Sequence, residues 1–160
     1  MHDPVFPCGA AACEVEIDPD TGTTQITRYA SVDDVGRCIN PLIVHGQTHG
    51  AIVQGVGQAY GEEIVVDPET GQTWSGSFMD YRIPRATDLP MFNTEIVETI
   101  SPTNPLGIKS GGEGGTTPAL SAFVSAVANA IAPWHPEPLE MPVTSESIWR
   151  ALKPYRTQSL

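Results

Sequence analysis

The segment that most restricts what this chain can fold into begins at Asn40-Pro41. Asparagine there suits a helix N-cap, and proline suits the first helical position, where its missing N–H is no loss and its fixed φ is already helical. Apolar side chains then recur near helical period through Leu42, Ile43, Ile52, Val53, Val56 and Tyr60, which predicts a helix over about residues 41–60. Within it lie Gly46, Gly50, Gly55 and Gly57. Each glycine costs about 1 kcal/mol of helix propensity against alanine, so close approach of another element or of a ligand must offset them, packing being the commoner reason.

Around this helix the pattern changes repeatedly. Cys13 to Asp18 alternates toward a strand, Pro19 to Gly22 is turn chemistry, and Thr23 to Ala30 is rich in β-branched and aromatic residues, which together predict a hairpin. Glu62 to Asp67 reads as a strand, followed by Asp67-Pro-Glu-Thr-Gly71, an echo of Asp18-Pro-Asp-Thr-Gly22 that reflects shared turn chemistry and not a repeat. Phe92 to Thr99 alternates as another strand, and Ser101 to Gly107 is proline-punctuated loop. A second helix is expected from Thr117-Pro118, with Ala119, Phe123, Val127 and Ile131 as its apolar stripe and Pro133 beyond its end. A proline-rich wrap over 133–142 leads to a short capped helix over 144–152.

Strands and helices interleave without regular βαβ spacing. The expected class is therefore α+β, with antiparallel strands and hairpins packed on two main helices and a short C-terminal helix. An apolar fraction of 40% fills one core, so residues 1–160 are expected to form a single domain with its core over about 13–152.

Charge and cysteine content narrow the function classes. Eight Lys plus Arg against 19 Asp plus Glu give a net charge of −11, which disfavours nucleic acid, whose phosphates need facing cations. Nowhere do 18 apolar residues run together, and Met1-His2-Asp3-Pro4 lacks the basic and apolar stretches of a secretory signal, so the chain reads as soluble and not membrane-bound. Cys8, Cys13 and Cys38 cannot build a disulfide framework or a four-cysteine metal site, which suits a reducing cytoplasm. Cys8 and Cys13 have the C-x4-C spacing that begins an iron–sulfur motif, but no third cysteine follows two residues later.

Lys109-Ser-Gly-Gly-Glu-Gly-Gly-Thr-Thr117 is the most informative stretch. Its glycines let backbone amides approach a neighbour, and the following helix N-terminus favours negative charge, so the loop is either a cofactor cradle or a flexible surface connection. It is not a Walker loop, because Lys109 precedes the glycines instead of following them. Glu113 at its centre is either a solvated side chain or a carboxylate serving as general base. Gly55 to Gly61 imitates a dinucleotide fingerprint, but its last glycine is one residue late and it sits inside a helix. His45 and His49 share a helical face at i and i+4, the spacing of zinc-peptidase ligands, yet Gly46 stands where such enzymes carry glutamate; packing or interface roles fit these histidines better, and no metal ligand is assigned.

Five ordered stretches carry a resemblance: Val32 to Pro41, His45 to Gly57, Gly76 to Pro84, Ser101 to Gly107 and Lys109 to Gly115. Together they resemble the last part of the molybdopterin-binding large subunit of molybdenum hydroxylases, the family of xanthine dehydrogenase, aldehyde oxidase and aerobic carbon monoxide dehydrogenase. The resemblance implies a molybdenum–molybdopterin cofactor, with Glu113 as the family's general base, Gly112 approaching the cofactor by its backbone, and Gln47 as a side-chain contact. It further implies [2Fe–2S] clusters and FAD on partner subunits or domains, and a small-molecule substrate that is an aldehyde, an N-heterocycle or carbon monoxide. This chain departs from the family at Gly111, where valine is common, and at Gly114, where Ala or Ser is frequent. Because the family's subunit is several times longer, the chain is expected to be a fragment, an excised domain or a separately encoded small subunit. Alone it is expected to hold no molybdenum cofactor and to be inactive; the alternative is a structural or assembly piece without catalysis.

Overall fold

The computed structural model describes residues 5–134 and 136–156. In chain order it contains β1 (Cys8–Ile17), β2 (Thr24–Asp34), α1 (Pro41–Tyr60), a 3-10 turn (Ala86–Asp88), β3 (Asn93–Val97), α2 (Thr116–Ile131), a second 3-10 turn (Ala132–Trp134) and α3 (Ser145–Arg156).

The hairpin forms where turn chemistry places it. The Asp18 carboxylate accepts from the Asp20 amide and the Thr21 hydroxyl, each at 2.8 Å, and Gly22 takes φ +72°, which only glycine adopts without strain. From this turn β1 and β2 pair antiparallel from Ile17↔Thr24 out to Cys8↔Asp34, with a register irregularity at Glu14/Val15. The strands run beyond the expected 13–30, since the small residues of Cys8 to Ala12 carry no alternating signal and gain strand structure from their partner.

One expectation is corrected by β3. It spans less than 92–99 and pairs parallel with β2, Ala30↔Asn93 to Asp34↔Val97, so the sheet has the order β1-β2-β3 and is mixed, not antiparallel throughout. The cause is α1, which carries the chain back across the sheet between β2 and β3, as a parallel connection requires. A second correction falls at 62–67, where no strand forms. Only the bridge Val66↔Thr73 appears there, beside the bond from the Trp74 amide to Val65 O at 2.8 Å. Ile64 remains 72% exposed, because among the described residues no sheet edge pairs with this stretch. The turn within it still forms: Asp67 accepts from the Glu69 amide and the Thr70 hydroxyl, at 2.9 and 2.7 Å, and Gly71 has φ +73°.

Asn40 caps α1 by accepting from the Ile43 amide. On α2 the predicted stripe of Ala119, Phe123, Val127 and Ile131 is buried, and the helix gives way to a 3-10 turn that runs through Pro133. Thr144 caps α3 by accepting from the Ser147 amide, and the helix extends to Arg156, past the expected end at 152. The core joins Ile26 and Tyr29 of β2, Ile52, Val56 and Ala59 of α1, the α2 stripe, and Val143, Ile148 and Leu152. Gly55 lets α1 and α2 touch: a Cβ there would lie 2.7 Å from both Ala119 Cβ and Thr116 O. Among the described residues no helix is long and apolar enough to cross a membrane.

Candidate functional site

The glycine-rich loop lies between two fixed ends. At its start the Lys109 amide donates to Val35 O at 2.8 Å, and the Lys109 ammonium meets Asp34 Oδ2 at 2.7 Å. At its end the Thr116 hydroxyl donates to Ala51 O at 3.0 Å, and Gly115 lies so close to α1 that a Cβ would stand 2.5 Å from Thr48 O. Between these ends Gln47 Nε2 donates to Gly112 O at 2.9 Å. The fold therefore joins two residues that are 65 positions apart in sequence and that were both candidates. A Cβ at Gly112 would meet nothing within 4 Å, so the outer side of this peptide is open.

Glu113 sits at the exposed crest of the loop and lines a cleft of about 580 Å³ with Phe6, Cys8, Asp33, Ser110 and Thr117. Its carboxylate makes no ion pair or hydrogen bond among the described residues, and neither Lys nor Arg lines the cleft. A carboxylate so placed keeps both oxygens available to accept a proton.

Asp33 also lines this cleft, and the sequence reading did not single it out. Only 5% exposed, it reaches the same cleft from β2, and burial pushes its carboxyl up, while the Ser31 and Thr48 hydroxyls pull the other way. The signal was present as alternation, since Tyr29, Ser31 and Asp33 are all buried on one face of β2. The adjacent Asp34 faces the other way. Lys109 first, then the Thr99 and Gly36 amides, hold its carboxyl well below the usual carboxylate range.

His45 and His49 do share one face, and both are engaged there: His45 Nδ1 and His49 Nε2 lie 2.8 and 3.1 Å from the same Thr94 hydroxyl on β3. Cys8 and Cys13 lie an odd number of positions apart on β1 and so point to opposite faces. Burial, with Glu14 adding to it, pushes the Cys13 thiol up to about 11, which leaves it a poor nucleophile or ligand at neutral pH.

The sequence and the fold have known counterparts. Residues 1–90 match the family described as molybdopterin cofactor-binding domain. The chain belongs to that family. It is 36% identical over 155 residues to the carbon monoxide dehydrogenase large chain of Hydrogenophaga pseudoflava, covering 95% of this chain and 19% of that one. It is 42% identical over 146 residues to the 6-hydroxypseudooxynicotine dehydrogenase complex subunit gamma of Paenarthrobacter nicotinovorans, covering 90% and 18%. Its fold superposes on reconstituted CO dehydrogenase from Oligotropha carboxidovorans with a TM-score of 0.88 at 34% identity, over 95% of this chain and 19% of that chain. The chain thus spans about a fifth of the length of the relatives it matches.

The residues present fit part of a cradle for such a cofactor. Gln47 stands on the exposed stripe of α1 between Gly46 and Gly50, and a Cβ at either glycine would meet nothing within 4 Å. That stripe and the Gly112 peptide would offer bare backbone and an amide side chain to such a group. The 20 residues of α1 include no Asp, Glu, Lys or Arg, so nothing there opposes an anionic cofactor.

Proposed function

We propose that this chain carries the general base and part of the cofactor cradle of a molybdenum-dependent hydroxylase, with residues 1–160 acting as one unit in a reducing cytoplasm. Gln47 and the Gly112 peptide would hold the molybdenum–molybdopterin, which when bound supplies the two-electron oxidation of the substrate. Glu113 accepts a proton at a carboxylate oxygen during hydroxylation of an aldehyde, an N-heterocycle or carbon monoxide. The observation that carries this reading is the exposed Glu113 carboxylate, which has no partner among the described residues and lines a cleft whose described lining holds no Lys or Arg, on a loop fixed at both ends.

Further polypeptide of the kind found in the longer relatives would cover the cleft, and partner subunits or domains would carry [2Fe–2S] clusters and FAD. Changing Glu113→Gln in the complete enzyme is expected to lower turnover by about 10²–10⁴-fold while molybdenum content holds. Retained turnover overturns the assignment. Purified alone, the chain is expected to hold no stoichiometric molybdenum, as checked by elemental analysis.

A second reading, assembly without catalysis, is favoured by the apolar surface at Leu42, Phe78, Met79 and Met91, all exposed. Both readings call for a partner polypeptide, and the Glu113→Gln measurement separates them.

A further inference from the structure

Lys109 opens the loop that carries Glu113, and its ammonium is already engaged. The contact to Asp34 Oδ2 is 2.7 Å, and the two side chains are each only 14% exposed. Asp34 Oδ1 accepts from the Gly36 and Thr99 amides, both at 2.9 Å. One carboxylate at the end of β2 therefore gathers three segments: the turn after β2, the chain leaving β3, and the start of the glycine-rich loop.

Main-chain bonds run beside this knot. The Arg37 amide donates to Gly107 O at 2.9 Å, and the Asn104 side chain clasps Ile108, accepting from its amide at 3.1 Å and donating to its carbonyl at 2.9 Å. None of the core side chains lies in the knot, so it contributes to local placement more than to the apolar interior. Beyond Lys109, residues 110–114 are small apart from Glu113 and have Gln47 as their side-chain tie to α1. A strap of glycines has little stiffness of its own, so where Glu113 stands along the cleft is set by its held ends, Lys109 on one side and the Thr117 amide donating to Glu113 O at 3.2 Å on the other.

We infer that Lys109 and Asp34 are positioning residues, a charge-assisted clamp that sets where the glycine strap presents Glu113. The consequence for turnover rests on the proposed role of Glu113, whereas the clamp itself belongs to this chain. Lys109 thereby serves the protein and not a ligand anion, although it neighbours a loop of cradle composition.

The test uses the full chain carrying Lys109→Met, with Lys109→Arg as the conservative variant. In ¹⁵N relaxation the Glu113 amide is expected to fall from the rigid range, about 0.85, to below about 0.6 in Lys109→Met. Amide exchange at Lys109 and Thr99 is expected to rise about 10-fold or more, with Phe123 and Val127 unchanged and Lys109→Arg close to the parent. In the complete enzyme kcat should drop about 10-fold with little change in KM, and Lys109→Arg should restore most of it. Unchanged order at Glu113 overturns the inference, as does exchange that rises equally along α2, which would mark a general structural role. If Lys109→Met does not fold, Lys109→Gln and Asp34→Asn are read by the same criteria. A mobile Glu113 in Lys109→Met together with full turnover in Glu113→Gln would leave the clamp standing and remove the general-base assignment.

Discussion

The two halves of α1 have similar composition and opposite surroundings. Residues 51–60 are closed in: Ala51, Ile52, Gly55, Val56, Gly57 and Ala59 are buried, and the Tyr60 ring lies 5.3 Å from that of Phe123 on α2. Residues 41–50 are open: Leu42 is 81% exposed, Gly46 and Gly50 face free space, and Thr48 alone is buried. Both halves are apolar, uncharged and rich in glycine. What separates them is that α2 covers one, while the other meets β3 through His45 and His49 and the glycine-rich loop through Gln47, leaving Leu42, Gly46 and Gly50 uncovered among the described residues. An uncharged, glycine-lined face on a helix that is otherwise core is consistent with the proposed use of this surface by a cofactor or further polypeptide.

Substitutions at matched positions test that contrast. The largest difference is expected between Phe123→Ala, which empties the core beside Tyr60 and should cost about 3–5 kcal/mol, and Leu42→Ala, which should change stability by no more than about 0.5 kcal/mol. Urea denaturation followed by circular dichroism measures both. Equal losses would mean that the open half is as well packed as the closed one.

The glycines give a smaller contrast, of opposite sign. Gly55→Ala forces a Cβ against the Thr116 carbonyl and should cost about 1–3 kcal/mol. Gly50→Ala meets nothing and should stabilise the chain by about 0.5–1 kcal/mol through helix propensity. In the complete enzyme the same Gly50→Ala change should reduce cofactor occupancy, read as molybdenum per chain.

The smallest effects, visible mainly through their pH dependence, concern the carboxylates of β2. Asp33 interacts with Thr48, the one buried residue of the open half. Because its folded carboxyl is raised, ionised Asp33 opposes folding at neutral pH, and that opposition fades as pH falls through its folded value. Asp33→Asn should thus be more stable than the parent at pH 7, with the two converging in acid. Asp34, whose carboxyl is depressed, contributes stability above the ordinary carboxylate range, near pH 4, that is lost as pH falls. Asp34→Asn should be less stable at pH 7, with the gap closing in acid. Thermal melts from pH 3 to 7 check both signs.

Much of the local structure was legible in the residues. Asn40-Pro41 marked the start of α1, Asp18 and Gly22 marked the hairpin turn, and the stripe from Ala119 to Ile131 marked the buried face of α2. These follow from contacts within a few positions, where side-chain chemistry acts directly on the nearby backbone. The two Asp-Pro-x-Thr-Gly turns show how far such chemistry reaches. Both close alike, but Gly22 packs so tightly on α3 that a Cβ would meet Ser145 O, whereas Gly71 faces open space and its flanks make one bridge.

Of the site, the sequence by itself picked out Gln47, Gly112 and Glu113 as candidates, through the order of its motifs and their resemblance to a family. Only the tertiary structure decided that Gln47 touches Gly112, that Asp33 shares the cleft with Glu113, that Lys109 is held by Asp34, and that β3 lies parallel to β2. The physical reason is distance along the chain. Turns and caps are settled by neighbours a few residues away, but a contact across 65 or 75 positions exists only once the sheet and helices have packed and brought its two ends together.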